Sequence, residues 1–293
     1  MVKYTRFLLK EVILMGIVVG IDIGGSTTKI AGFDGSKMLL PVQISASNPV
    51  ASSFGAFGKF LYDNKLDLND IEQVNLTGVG SSALNQPIYG LPTFKVDEFT
   101  ANGLGGGYFA NGSNEFMVVS MGTGTSYVRV KNGIPMHVGG IGIGGGTIIG
   151  LSKYMLNTND ISKIQEMALE GEVGKIDLRI GDISHDPLPG LDLDITASNF
   201  GKASSRASAE DVAAGIVHMV IESICQTAAL IAQQIDVRTL VLIGALTNFP
   251  ECELVCKMVK SLFPGLDIIV PENGEYATAI GAAFAGKESL RTI

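Results

Sequence analysis

Short apolar runs closed by glycine-rich turns alternate with longer stretches of helical period along most of the chain. Residues 18–21 (V-V-G-I) form one such run, and Lys29, Ile30, Ala31, Gly32 and Phe33 form its returning partner. The pattern predicts a buried strand pair joined by a tight connection. Residues 51–65 place Phe54, Phe57, Phe60 and Leu61 on one helical face. Residues 74–80 then read as a strand running into a Gly-Ser turn, and residues 93–96 as a strand that delivers Asp97 and Glu98 to its C-terminal end. That end of a strand is where open α/β sheets place their chemistry. Residues 116–130 repeat the opening pattern, an apolar run to Ser120, a glycine turn and a returning strand.

Further along, Ser208 with Asp211 three positions later is a capping-box variant, and the helix it opens is predicted to reach about Gln234. Residues 240–243 are a buried strand, 254–263 a helix, 267–270 a strand closed by Pro271, and 277–283 a helix of small residues able to pack very closely. Residues 158–210 are polar and mixed, with a turn-rich segment at 186–190. Strands alternating with helices predict an α/β protein.

The turns carry the candidate chemistry. Between the first two strands lie Asp22, Gly24, Gly25, Ser26, Thr27 and Thr28. Backbone N–H groups converging in such a turn make an anion site, and a carboxylate at its rim suits a hydrated Mg²⁺. The second hairpin carries Gly122, Thr123, Gly124, Thr125 and Ser126; laid over the first without gaps, Gly24 falls on Gly122, Thr27 on Thr125 and Thr28 on Ser126. Two matching hairpins a domain apart imply two related domains facing one cleft. Residues 139–146 hold six glycines in eight positions and feed a helix from Thr147 onward, a third anion-binding arrangement.

Composition narrows the field. The chain has 293 residues, 46% of them hydrophobic, which is enough for a large core in one or two domains. Its net charge of −8 argues against broad nucleic-acid or anionic-membrane binding. Cys225, Cys252 and Cys256 are few, late and unaccompanied by histidine, so they read as reduced, buried thiols rather than a disulfide framework or a metal site. Residues 1–14 superficially resemble a secretion signal, but Lys10 and Glu11 interrupt the apolar run and no small-residue cleavage site follows. Met15 is a second candidate start. A soluble, cytoplasmic protein is expected.

The motif set D-I-G-G-S-T-T-K (22–29), D-E-F (97–99), G-T-G-T-S (122–126), V-G-G-I-G-I-G-G-G-T-I-I-G-L (138–151), A-S-N-F-G (197–201) and E-Y-A-T-A-I-G-A (275–282) resembles the type II pantothenate kinases of the actin/hexokinase/Hsp70 nucleotide-binding superfamily. The resemblance runs from Met15 to about Gly286. It implies two actin-like (ribonuclease H-like) domains, at 1–97 and 98–293, with mixed five-stranded-type sheets flanked by helices and an ATP cleft between them. The C-terminal helix would complete the first domain.

By the same resemblance the reaction is ATP-dependent phosphorylation of pantothenate, with Glu98 the base and Asp22 holding Mg²⁺ through water. Gly24, Gly25, Ser26, Thr27, Thr28, Lys29, Gly122, Thr123, Gly124, Thr125, Gly144, Gly145 and Gly146 would cradle phosphates, and Gly244 and Asn248 would lie near the adenosine. Thr123 and Ser126 would contact the acceptor. Tyr276 would reach a neighbouring subunit's substrate, which implies a homodimer. The family arginine that also contacts the acceptor is replaced here by His137, and a neutral imidazole cannot grip an anion as a guanidinium fork does.

Four other readings compete. Activator ATPases of 2-hydroxyacyl-CoA dehydratases share the opening hairpin but carry mid-chain cluster cysteines that this chain lacks. Sugar kinases carry a zinc cysteine cluster or an E-x-G-H motif, also missing. An actin-like assembly module would not need the Glu98 base. A kinase for another small alcohol stays open.

Overall fold

A computed structural model describes residues 16–45, 48–184, 186, 192–202, 206–286 and 289–292. The extension at 1–14, Met15 and most of the turn-rich segment at 186–190 lie outside these residues.

The first sheet is built from β1 (Ile17–Ile23), β2 (Thr27–Asp34), β3 (Lys37–Met38), β4 (Val42–Ser45), β5 (Ile71–Thr77) and β6 (Thr93–Lys95). Between β4 and β5 runs helix α1 (Pro49–Asn64), opened by the Asn48 side chain, which accepts from the Ala51 N–H. β1 and β2 pair antiparallel, β1 and β5 parallel, and β5 and β6 parallel. The sheet has seven strands once a C-terminal strand is counted, more than the five-stranded type expected, because two-residue edge strands extend it. Phe57 and Phe60 of α1 are fully buried with Ile21, Ile23, Ile30 and Leu76 beneath one face.

α2 (Glu98–Phe109) follows directly. The second sheet then forms from β7 (Glu115–Met121), β8 (Thr125–Lys131) and β9 (Ile134–Ile141). Next come α3 (Gly145–Leu156), α4 (Ile161–Glu170), a small excursion with β10 (Leu178–Arg179), α5 (Ile180–Ile183) and β11 (Thr196–Ser198), and the long α6 (Ala209–Gln234). β12 (Thr239–Ile243), α7 (Glu251–Leu262), β13 (Asp267–Ile269), α8 (Ala277–Ala283) and β14 (Arg291–Thr292) complete the chain. The strand order of the second sheet is β13-β12-β7-β8-β9, and β14 returns to pair with β6 in the first.

The predicted Ser208–Asp211 capping box is present, and it opens α6. This helix is long and apolar enough to cross a bilayer by length and composition. Here it is a core helix: Ile216, Val220, Ile221 and Ile224 pack on Met117, Val119 and Met121 of β7.

α2 and α8 lie between the two sheets. α8 covers Val18, Ala31 and Phe33 of the first sheet, and Ala277 at its start joins Val118, Val128 and Val241 of the second. The two helices cross at backbone contact. A Cβ on Gly281 would fall 1.8 Å from the Ala101 carbonyl oxygen, so only glycine fits at that crossing.

Candidate active site

The β1–β2 and β7–β8 hairpin turns, the start of α2 and the segment after β12 converge on one cavity of about 660 Å³. This is the size range of small-molecule sites.

The first wall is the β1–β2 hairpin. Asp22 and Lys29 are register partners across it, and the Gly24 N–H closes the turn on the Thr27 carbonyl at 3.0 Å. Burial raises the Asp22 carboxyl above its ordinary value, with Lys29 opposing. Behind Asp22 stands Gly78, at φ +83°, where a Cβ would come within 2.5 Å of Oδ1. Any larger residue would displace the carboxylate. Lys29 is buried yet faces the cavity.

The second wall is the β7–β8 hairpin, closed by Gly122 N–H to the Gly124 carbonyl at 2.9 Å. The two tips meet: a Cβ on Gly25 would sit 3.4 Å from Thr123 Oγ1. The gapless overlay of the hairpins needs correcting, however. Asp22 pairs with Lys29 in the first, whereas Ser120 pairs with Ser126 in the second, so the second turn is one residue tighter. A one-residue slip exchanges the faces of a strand. The structural partner of Ser126 is therefore Lys29, both facing the cavity, and the partner of Thr125 is Thr28.

Thr28 is buried and its hydroxyl is shared with Ser52 Oγ at 2.9 Å, outside the cavity lining. That corrects its assignment as a phosphate ligand. Thr125 likewise spends its hydroxyl on the Ile143 carbonyl at 2.8 Å.

The third glycine segment also differs from expectation. Gly139, Gly140 and Ile141 belong to β9, and α3 begins at Gly145. The Gly145 and Gly146 N–H groups are committed to the Gly122 and Thr123 carbonyls at 2.8 and 2.9 Å. They line the cavity, but no N–H of theirs points into it, so this helix start is not a ready anion cradle here. A Cβ on Gly144 would lie 2.6 Å from the Thr123 carbonyl oxygen; this glycine, absent from the lining, lets two loops press together.

Glu98 is the first residue of α2 rather than the end of a strand. β6 stops at Lys95, and Asp97 caps the helix by accepting from the Thr100 N–H at 3.0 Å. Glu98 lines the cavity with Asp22. Burial, followed by the Asp22 and Asp97 carboxylates, pushes its pKa up, which suits a group that must take a proton near neutral pH. Phe99 beside it stacks on exposed His137, ring centroids 4.0 Å apart at 20°. Gly244 and Asn248 also line the cavity, and the Asn248 carbonyl accepts from Gln165 Nε2 at 2.9 Å. Tyr276 does not line its own chain's cavity.

Sequence reasoning missed several lining residues. Thr278 donates to buried Asn102 Oδ1 at 2.8 Å; the 275–282 motif contains it, but gives it no role of its own. Gln165 had no motif to mark it. Gly78 carried a signal in its place directly after an apolar run, and that signal was read only as a turn.

The fold agrees with solved structures. The activator of 2-hydroxyisocaproyl-CoA dehydratase from Clostridium difficile with bound ADPNP superposes with a TM-score of 0.64 at 17% identity, covering 91% of this chain and 92% of that one. A ROK family glucokinase from Streptomyces griseus in complex with glucose and AMPPNP gives 0.58 at 13%, covering 92% and 98%. Two sheets, a paired set of glycine hairpins and a cavity between them thus define an actin/hexokinase-like fold.

The family model described as Fumble matches residues 108–254. The chain is 31% identical over 280 residues to a type II pantothenate kinase of Bacillus cereus, covering 90% of this chain and 96% of that protein. It is 27% identical over 279 residues to one of Staphylococcus aureus, covering 92% and 99%. The chain belongs to the type II pantothenate kinase family, whose members are phosphotransferases.

Proposed function

We propose that this chain transfers the γ-phosphoryl group of ATP to the primary hydroxyl of pantothenate, forming 4′-phosphopantothenate for coenzyme A synthesis in the cytoplasm. The observation that carries this reading is the placement of Glu98 beside Asp22, at the cavity where the Gly25 and Thr123 tips meet. The Glu98 carboxylate takes the hydroxyl proton as the alcohol oxygen bonds to the γ-phosphorus and ADP departs. Positioning and charge supply most of the acceleration in such transfers. The cleft would divide a unit at 1–97, completed by α8 and β14, from a second unit formed by the rest of 98–293.

The donor set fits Mg²⁺. Among the described residues no cluster of three or more acids, histidines or cysteines encloses a metal. Mg²⁺ is instead commonly held by one or two carboxylates plus phosphates and water. Asp22 would hold it through water, and it would neutralise charge on the transferred group. Lys29 and the hairpin tips then orient the phosphates, while Gly244 and Asn248 face the adenosine. Thr123, Ser126 and His137 orient the acceptor. Tyr276, outside its own cavity, is assigned to the neighbouring site of a homodimer.

The activator reading needs cysteines free to hold a cluster between subunits. Cys225, Cys252 and Cys256 are all buried between α6 and α7, which favours the kinase. The deciding experiment is ADP release from Mg·ATP with and without pantothenate. Release that ignores pantothenate would overturn the assignment of the acceptor.

A further inference from the structure

The A-S-N-F-G segment and the histidine it surrounds take no part in the chemistry above, yet they form a dense buried polar cluster outside the cavity. His218 of α6 is 9% exposed, Asp177 0% and Glu222 4%. His218 Nδ1 lies 2.6 Å from Glu251 Oε1. Its Nε2 lies 3.2 Å from Thr196 Oγ1, 3.5 Å from Glu222 Oε2 and 4.0 Å from Asp177 Oδ2. Nδ1–H donates to Glu251, and the Glu222 and Asp177 carboxylates within 4.0 Å of Nε2 favour positive charge on the ring, with Thr196 Oγ1 able to accept the second N–H.

The loop closes the cluster from the other side. Asn199 Nδ2 donates to Glu222 Oε2 at 2.9 Å and to Asp177 Oδ2 at 3.2 Å, and the Phe200 N–H donates to Asp177 Oδ1 at 2.8 Å. Phe200 sits at φ +57°, a conformation that costs a bulky residue energy and persists only where its surroundings impose it. The cluster therefore holds a strained loop, the middle of α6 and the start of α7 in one arrangement.

Glu251 is the link to the cavity. It is the first residue of α7, and Phe249, two residues earlier, lines the cavity with Leu246 and Asn248. The Phe249 carbonyl accepts from the Cys252 N–H at 2.9 Å, which ties the start of the helix to the cavity wall. We propose that His218, as an imidazolium clasped by Glu251, Glu222 and Asp177, is a positioning residue for the nucleotide end of the cavity, setting ATP affinity without touching ATP. The proposal rests on the reading that the cavity takes ATP.

Burial works against the charged imidazole, but the Glu251 hydrogen bond and the Glu222 and Asp177 carboxylates outweigh it and raise its pKa. The clasp is thus complete at low pH and is lost as pH rises through that raised value.

The test is direct binding of a non-hydrolysable ATP analogue with Mg²⁺ and no acceptor, across pH, for the wild type, His218→Gln and Glu251→Gln. Affinity of the wild type should fall as pH rises. Both variants should bind about three- to thirtyfold more weakly at the low-pH end and lose that pH dependence. Glu251→Gln, at the half-buried edge of the cluster, serves if His218→Gln does not fold. Wild-type affinity in either variant, whatever its melting temperature, overturns the proposal, as does wild-type binding that is flat with pH. No analogue binding by the wild type overturns it together with ATP use. Intact analogue binding with pantothenate-independent turnover touches only the acceptor.

Discussion

Gly281 of α8 rests against the carbonyl oxygen of Ala101 in α2, so closely that an added Cβ would come within 1.8 Å of that oxygen. Gly105 of α2 meets the Ala277 carbonyl of α8 in the same way, also at 1.8 Å. The two helices are locked backbone to backbone, and α2 is the helix that begins at Glu98. Neither obstacle is a side chain that could swing away. Gly281→Ala should therefore destabilise the fold by about 2–3 kcal/mol and lower kcat through displacement of Glu98. Thermal melting and steady-state kinetics on the same preparation check both.

Removing the base should separate chemistry from binding. Glu98→Gln keeps the shape of the side chain at the start of α2 and loses the proton acceptor. Turnover should fall by about 10²–10⁴-fold, with affinity for a non-hydrolysable ATP analogue kept within a few-fold. Unchanged turnover would assign the base elsewhere.

The raised Glu98 pKa has a directional consequence. The base works deprotonated, so kcat/KM for the acceptor should climb as pH rises through that raised value. Asp97 contributes to the shift by like charge, after burial and Asp22. Asp97→Asn removes that charge and can still cap α2 through its side-chain oxygen. The acid limb of the pH profile should then move to lower pH, with the plateau preserved. A profile that stays put would show that Asp97 does not act on the titrating group.

The offset between the two hairpins predicts opposite fates for neighbouring residues. Thr28 spends its hydroxyl on Ser52 behind the turn, whereas Lys29 faces the cavity beside Asp22. Thr28→Val should cost about 1 kcal/mol of stability and leave the KM for ATP near its original value. Lys29→Met should raise that KM at least tenfold, on the order of 1.4 kcal/mol, if this buried side chain meets the phosphates as proposed. Steady-state kinetics at varied ATP distinguish the two.

How far these features could be read in the chain itself depends on the element. Both hairpins were legible because an apolar run, a glycine turn and a returning apolar run are local signals. Their one-residue difference was not, since a gapless comparison carries a change of turn length silently into the strand that follows. α2 was hidden for another reason. It holds Gly103, Gly105, Gly106 and Gly107, each costing about 1 kcal/mol of helix propensity relative to alanine. Contact with the α8 backbone, which no local pattern reports, requires small residues at that crossing. Asp97 with Thr100 did carry a capping signal, but it was read as the end of a strand. Gly139 and Gly140 looked like loop because the strand they form is a glycine-bearing sheet edge.

The last prediction concerns the position where this chain departs from its family's pattern. His137 is exposed at the cavity mouth and stacked on Phe99. An imidazole lacks a guanidinium's fork of donors, whereas an arginine would keep the stacking through its flat guanidinium and add that fixed fork for an anionic group. If pantothenate is the acceptor and its carboxylate or amide lies at this mouth, His137→Arg should lower the KM for pantothenate a few-fold, on the order of 1 kcal/mol as for exposed ion pairs. The KM for ATP should not change if His137 serves the acceptor alone, as proposed. The gain should shrink as salt is raised, since an exposed pair is screened. His137→Gln, which keeps one N–H donor but not the flat ring, separates stacking from hydrogen bonding: a higher pantothenate KM in that variant assigns the ring contact with Phe99 a part in shaping the mouth. An arginine variant with unaltered pantothenate KM at low salt would place the acceptor's polar end away from this side chain, towards other polar lining residues such as Ser126 and Thr278.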